Sequence, residues 1–273
     1  MLKSMSGWKT LASRVAIVTG ASSGIGAAIA GRFGRERMRV TLAARRAHLL
    51  EQVAERVRAA GGEALVVPTD VRDPAAVTRM AEITRDTWGR IDVLVANAGI
   101  GGGSILRISD EALAELVEVN LLGVMRCVRV VLPTMIAQGK GHVITIASVA
   151  GRIAAPGGVY GPTKSGVLAF TEGLHRAVAE GGIAVSAVLP GWIDTPMVRA
   201  RPRFLAPPTI VADAVVRLLH RPKREVIVPG WYRFPIWFNR WLPIVTDRLS
   251  PRVMRRIEQA ERRAQREREQ ERL

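Results

Sequence analysis

Val15 to Gly26 reads V-A-I-V-T-G-A-S-S-G-I-G. Five apolar and β-branched positions are followed by a glycine-rich turn. Apolar residues then recur at helical spacing through Ala28, Ile29 and Phe33. The pattern predicts strand, tight turn, helix. Glycines at 20, 24 and 26 permit a sharp turn and close approach of backbone to a ligand. The first amides of the following helix then face a pyrophosphate with the positive end of the helix dipole. A lone turn of this kind is weak, because an ordinary βα connection can look the same. Its place at the head of an alternating chain strengthens it.

The second strand, Arg39 to Ala43, ends in Ala44-Arg45-Arg46. An acidic residue at that position would hydrogen-bond the ribose hydroxyls of NAD. Here a carboxylate is replaced by two guanidiniums, which can grip a 2′-phosphate in bidentate fashion. The expected cofactor is therefore NADP(H), with Arg45 as the main contact. The alternative is an arginine pair in the first turn of a solvated helix.

Further along, an amphipathic helix over 47–60 is stopped by Gly61-Gly62, and a third strand spans 64–67. Asp73-Pro74 starts a helix running to about Trp88. A fourth strand, 91–96, leads into Asn97-Ala98-Gly99. Ser109 caps a long helix to about Gln138 that contains Asn120 and Cys127, and Pro133 is expected to kink or restart it. Cys127 reads as a small buried apolar residue. Strands at 143–147, 184–189 and 225–228 alternate with helices at 160–180 and 209–220, and the Arg- and Pro-rich 197–208 reads as a lid. The alternation predicts an α/β fold: a doubly wound, seven-stranded parallel sheet with helices on both faces. Ligands bind such sheets at the carboxyl ends of the strands. The glycine turn, Asn97 to Gly99, Ser148 and Pro190-Gly191 all fall at those ends.

S-V-A-G-R-I-A-A-P-G-G-V-Y-G-P-T-K, Ser148 to Lys164, carries the chemistry. Tyr160 and Lys164 are four apart and share a helix face. Ser148 follows a buried strand and is expected to face them. A free phenol titrates near ~10. An ammonium one turn away should lower that value, so that the phenol exchanges a proton with a carbonyl or alcohol oxygen. The Tyr–Lys spacing alone occurs by chance on ordinary helices; the serine and the glycine turn make it informative. Asn120, a polar residue in an apolar helix, needs partners. It is either a structural bridge or the holder of a relay water.

The chain has 273 residues, a formal charge of +16 and one cysteine. That length suits one large α/β domain. No apolar stretch is expected to reach the ~20 residues that span a bilayer, and Met1 to Thr10 lacks a signal-peptide core. A cytoplasmic protein without disulfide or metal is expected. The charge could serve nucleic acid, an anionic membrane or a phosphate-rich cofactor. Arginines scattered through the helices, with no nucleic-acid motif, are explained more simply as a solvated basic surface. Met1 to Ser13 reads as a mobile leader, 14–230 as the main domain and 231–273 as an extension.

On TGASSGIG, ANAG at 96–99, Asn120, Ser148, YGPTK at 160–164 and PGWIDTP at 190–196, the chain resembles the short-chain dehydrogenase/reductase family from about Arg14 to Gly230. The resemblance implies a Rossmann fold and reversible hydride transfer between a nicotinamide cofactor and a CH–OH or carbonyl group. It implies Tyr160 as general acid/base, Lys164 as its tuner and ribose ligand, Ser148 as orienter of the substrate oxygen, and Asn120 as support for a relay water. For the cofactor it implies Gly20, Ser22, Ser23, Gly24, Ile25 and Gly26 in the turn, with Arg45 and Arg46 at the second strand end. Asp70 and Val71 would lie at the adenine, Asn97, Ala98 and Gly99 along the ribose, and Pro190, Gly191, Ile193 and Thr195 at the nicotinamide. It also implies homodimers or homotetramers through the helices at 110–138 and 160–180. A hydrophobic alcohol, ketone or aldehyde substrate is expected from Trp192 and the aromatic tail. A nucleotide sensor, or a membrane-surface or nucleic-acid binder on the same fold, is the rival expectation; an intact Ser-Tyr-Lys set speaks against a sensor.

From Trp231 the text becomes W-Y-R-F-P-I-W-F-N-R-W-L-P-I-V, with three of the six tryptophans. The segment at 231–243 is too proline-broken to span a bilayer. It either packs over the pocket or on a second subunit, the preferred expectation, or makes peripheral contact with a membrane. Arg252 to Leu273 alternates Arg and Glu and is expected to form a solvated helix.

Overall fold

The computed structural model describes residues 7–198, 205–242 and 244. The glycine turn is held where the apolar pattern requires. Strand β1, Val15–Thr19, is buried along its whole length, as a strand covered on both faces must be. It pairs in parallel with β2, Arg39–Ala44 (Val15↔Arg39), and with β4, Val93–Ala96 (Ala16↔Val93). β3, Glu63–Pro68, lies outside β2. On the other side follow β5, Gly141–Ile146, β6, Ile183–Pro190, and β7, Glu225–Val228. The sheet order is β3-β2-β1-β4-β5-β6-β7, all parallel. The chain reverses its direction of winding between β1 and β4. Their carboxyl ends therefore part and open a crevice.

Helices cover both faces. α1 (Gly24–Arg35), α2 (Ala47–Ala59) and α7 (Thr209–His220) pack Phe33, Leu50 and Leu219 into one core. α3 (Pro74–Trp88), α5 (Gly123–Ala137) and α6 (Tyr160–Ala177) bury Met80, Val131 and Val167 in the other, and α4 (Asp110–Val117) leads into α5 with Leu116 buried. The caps are those expected: the Asp73 carboxylate accepts from Ala75 N–H at 2.8 Å ahead of Pro74, and Ser109 Oγ accepts from Ala112 N–H. The predicted seven-stranded, doubly wound architecture is the observed one.

Four local features differ from expectation. Residues 8–13 are not a loose leader: Trp8 and Leu11 are buried in the core of the α1 face. Trp8 N–H donates to Leu219 O at 3.0 Å, and His220 Nδ1 donates to Trp8 O at 2.8 Å. Burying a leucine-sized side chain is worth about 1.5–3 kcal/mol, enough to pin a short segment. Secondly, α5 runs unbroken through Pro133. The carbonyl that Pro133 leaves unpaired belongs to Arg129, and both residues are exposed, so water can take its place. Thirdly, α4 and α5 are joined by a π segment, Glu118–Leu122, and form one helical run over Asp110–Ala137. That run is long and apolar enough to cross a membrane by length and composition, contrary to expectation. Val119, Val124, Val128 and Met135 are nevertheless buried under the sheet, as in a core helix. Finally, α6 stops at Ala177, short of the predicted Glu180.

Candidate active site

The glycine turn forms a cradle that only missing side chains permit. Gly20 has φ +66°, and a Cβ there would lie 2.8 Å from Ala98 Cα. A Cβ on Gly26 would lie 2.3 Å from Gly20 O, and one on Gly24 (φ +55°) 3.1 Å from Thr195 Cγ2. Asn97 closes the crevice from β4: its Nδ2 donates to Thr19 O at 2.8 Å and its N–H to Thr19 Oγ1 at 3.0 Å. Thr19 Oγ1 also accepts from Ala98 N–H. The first amides of α1 have no helical acceptor, and no acidic residue sits in its first turn. This open, electropositive cradle fits a dinucleotide phosphate. Ser22, Ser23 and Ile25 lie within it.

Arg46, rather than Arg45, reaches back over this turn. Its guanidinium donates to Ser22 Oγ at 3.0 Å and Ser23 Oγ at 3.2 Å. Arg45 is exposed beside it and contributes to holding Asp70 ionised. Asp70 is already engaged by Arg72, which donates to both carboxylate oxygens and keeps its pKa below the usual carboxylate range. Val71 is buried against Gly123 at the head of α5. The Asp70 carboxylate therefore stands as a bonded pair with Arg72.

Ser148 lies two residues past β5. Its Oγ accepts from Ala150 N–H at 3.1 Å and donates to Pro190 O at 3.4 Å. Tyr160 opens α6, preceded by a strap in which Ile105 N–H donates to Gly157 O and Val159 N–H to Gly103 O. Lys164, one turn on, is only 3% exposed, and its Nζ donates to Ile146 O at 2.9 Å. The Lys164 ammonium is 5.7 Å from the centroid of the Tyr160 ring.

The expected depression of the Tyr160 phenol by Lys164 does not occur in this geometry. Burial pushes the phenol up to about 12, and only the hydrogen bond with Ser148 acts against that. Desolvation of the ammonium itself draws Lys164 down to about 8. A low-polarity setting disfavours both charged forms.

Asn120 is fully buried in the π segment, and its amide is satisfied by protein. Oδ1 accepts from Ile100 N–H at 2.8 Å, while Nδ2 donates to Ile100 O at 3.0 Å and Thr163 Oγ1 at 3.3 Å. It thus bridges the loop after β4 to α6. A Cβ on Gly99 would be 3.2 Å from Asn120 Oδ1 and 3.5 Å from Lys164 Nζ, so the three meet at one point.

Pro190 ends β6, Gly191 follows it, and Ile193 is buried beyond them. Tyr232, in the aromatic stretch expected to pack over the pocket or on a second subunit, lies on this wall. Its hydroxyl accepts from Trp192 N–H at 3.2 Å, and its ring occupies the space a Gly191 Cβ would need. Its place in that stretch and its rarity, since the chain has two tyrosines, were the available signals. The predicted lid at 197–208 lies partly outside the described residues. Among those residues no His/Cys/Asp/Glu group could hold a metal.

A parallel sheet with a glycine cradle at its switch point and a Ser-Tyr-Lys set two strands away defines a nucleotide-binding oxidoreductase class. The chain belongs to the short chain dehydrogenase family, whose model matches residues 14–205. It is 33% identical over 228 residues to the ketoacyl reductase HetN of Nostoc sp., covering 80% of this chain and 79% of that protein. Its fold matches the actinorhodin polyketide ketoreductase with NADPH at a TM-score of 0.75, with 34% identity, 81% of this chain and 97% of that one covered. It also matches a short chain dehydrogenase/reductase from Burkholderia phymatum in complex with NAD at 0.80, with 26% identity and coverage of 85% and 95%. The protein is an oxidoreductase of the kind that acts on CH–OH and ketone groups.

Proposed function

We propose that the protein is an NADP(H)-dependent reductase of hydrophobic ketones or aldehydes, or in the reverse direction a dehydrogenase of the alcohols. The observation that carries this is the convergence of Ser148, Tyr160 and Lys164 at the strand ends beside the glycine cradle. When bound, the cofactor supplies the hydride. Ser148 Oγ, anchored by Ala150 N–H, orients the substrate oxygen. Tyr160 gives that oxygen its proton. The phenol is protonated at neutral pH, as its donating role requires. Lys164, fixed by Ile146 O, is a positioning residue for the ribose and the phenol, and Asn120 positions Ile100 and α6. Arg46, with Arg45 behind it, favours a 2′-phosphate.

The ketoacyl and polyketide ketoreductase relatives make a ketone the natural substrate class. A nucleotide sensor is not favoured, since a sensor has no use for a positioned phenol. A cytoplasmic homodimer or homotetramer through α4, α5 and α6 completes the proposal. Its test is NADPH oxidation across a panel of apolar ketones. Turnover that disappears in Tyr160→Phe supports the assignment. NADPH binding with no turnover on any carbonyl would sink it.

A further inference from the structure

We propose that the rim of the active site is a docking surface for an anionic lipid bilayer, so that the carbonyl substrate enters from the lipid phase. This rests on the oxidoreductase reading above and deepens it. Among the described residues, every large hydrophobic side chain that stands exposed, except Ile83 and Ile136, follows the carboxyl end of β4, β6 or β7. Ile105 and Leu106 follow β4, Trp192 and Met197 follow β6, and an aromatic helix follows β7. These strand ends surround the site. Isolated exposed apolar residues need no explanation; a ring of them at one end does.

That helix, α8 (Arg233–Trp241), has no buried residue. Tyr232, just ahead of it, and Ile236, four positions later, pack inward against the core. Phe234, Trp237 and Trp241, spaced by three and four, share the opposite face. They are 77%, 60% and 65% exposed. A helix seated on a protein normally turns polar residues outward. This one turns its largest aromatics outward, with Arg233 and Arg240 on the flank of the stripe. Trp with flanking Arg is the chemistry of headgroup depth.

Charge complementarity selects the occupant. No acidic residue occurs between Glu225 and Asp247, and the whole chain carries +16. Neither arginine of α8 has an ion-pair partner among the described residues. Anionic headgroups would neutralise both; the same face of a second copy would bring like charges together. The helix is also coupled to the site. Tyr232 caps the Trp192 amide and seals Gly191, so a bilayer gripping α8 meets the pocket wall directly.

The test is co-sedimentation of the full chain with phosphatidylcholine vesicles and with equimolar phosphatidylcholine/phosphatidylglycerol vesicles. Binding to the anionic vesicles alone, weakening as salt rises, is expected. Phe234→Ser/Trp237→Ser/Trp241→Ser should reduce it about 100-fold or more and leave turnover of a water-soluble ketone unchanged. Arg233→Glu/Arg240→Glu should weaken it without touching an apolar group, which covers the case of a triple variant that misfolds. Wild-type protein left in the supernatant overturns the proposal. So does a triple variant that dissociates into smaller species on size exclusion while still binding vesicles, because the face would then join copies of the chain. Sedimentation needs no catalysis: vesicle binding with no ketone reduced would fault the enzyme reading and leave the docking surface standing.

Discussion

The Lys164 ammonium donates to the Ile146 carbonyl at 2.9 Å and stands 5.7 Å from the Tyr160 ring centroid. The lysine is thus tied to the end of β5 rather than to the phenol, and burial decides the titration of both. Tyr160→Phe should lower turnover by about 100-fold or more, in keeping with loss of a general acid, and leave NADPH affinity within about threefold. Single-turnover assays with fluorescence titration check both. Near-normal turnover would remove Tyr160 from the reaction.

Lys164 titrates at about 8 instead of 10.5. Below pH 8 it is charged; above it, neutral in the folded protein. If the charge positions the ribose, kcat/KM for reduction falls as pH rises through about 8. Lys164→Met should show a low rate without that limb. An unchanged limb in the variant would assign it elsewhere.

Arg46 bonds Ser22 and Ser23, whereas Arg45 only flanks Asp70. Arg46→Glu should therefore shift the NADPH-to-NADH ratio of kcat/KM by about 10- to 100-fold, as expected for charge-assisted hydrogen bonds of about 1.5–3 kcal/mol. Arg45→Asp should shift it less. Equal ratios in wild type and both variants would refute a 2′-phosphate site here.

His142 is fully buried and pushed down to about 3 by desolvation. Its Nε2 meets Ser186 Oγ at 2.8 Å, and that hydroxyl donates to Lys223 O at 2.6 Å. The serine proton is thus used, so Nε2 carries the imidazole hydrogen. Nδ1 has no partner. The folded value lies below the unfolded 6.5, so acid protonates the unfolded chain first and stability falls as pH falls below 6.5. Between pH 7 and 5 this residue alone should cost about 2 kcal/mol. Urea unfolding of wild type and His142→Leu reads it: the loss over that interval should be smaller in the variant.

Much of this was legible beforehand. The strands were marked by apolar, β-branched runs, and the four strand-end motifs converge as the alternation required. What escaped has specific physical causes. Trp8 sits in a polar stretch with no periodicity, and its burial depends on Leu219 and His220, some two hundred positions away. A period of 3.6 cannot reveal the extra residue of the π segment. Two adjacent arginines at a helix start point in different directions, and only the backbone decides that Arg46 folds back over the turn. The phenol's titration depends on how deeply α6 is sunk, which the four-residue spacing to Lys164 does not encode.

The helix through Asn120 carries a spare residue. Glu118–Leu122 closes its hydrogen bonds one position later than the flanking turns, which is the signature of a single insertion absorbed without loss of phase. Deleting one residue there should return the run to plain α geometry with Leu116 still buried and Val128 still facing the sheet. The shortened chain would keep its ellipticity and lose the amide clamp on Ile100. Architecture and reactivity would separate at a single codon.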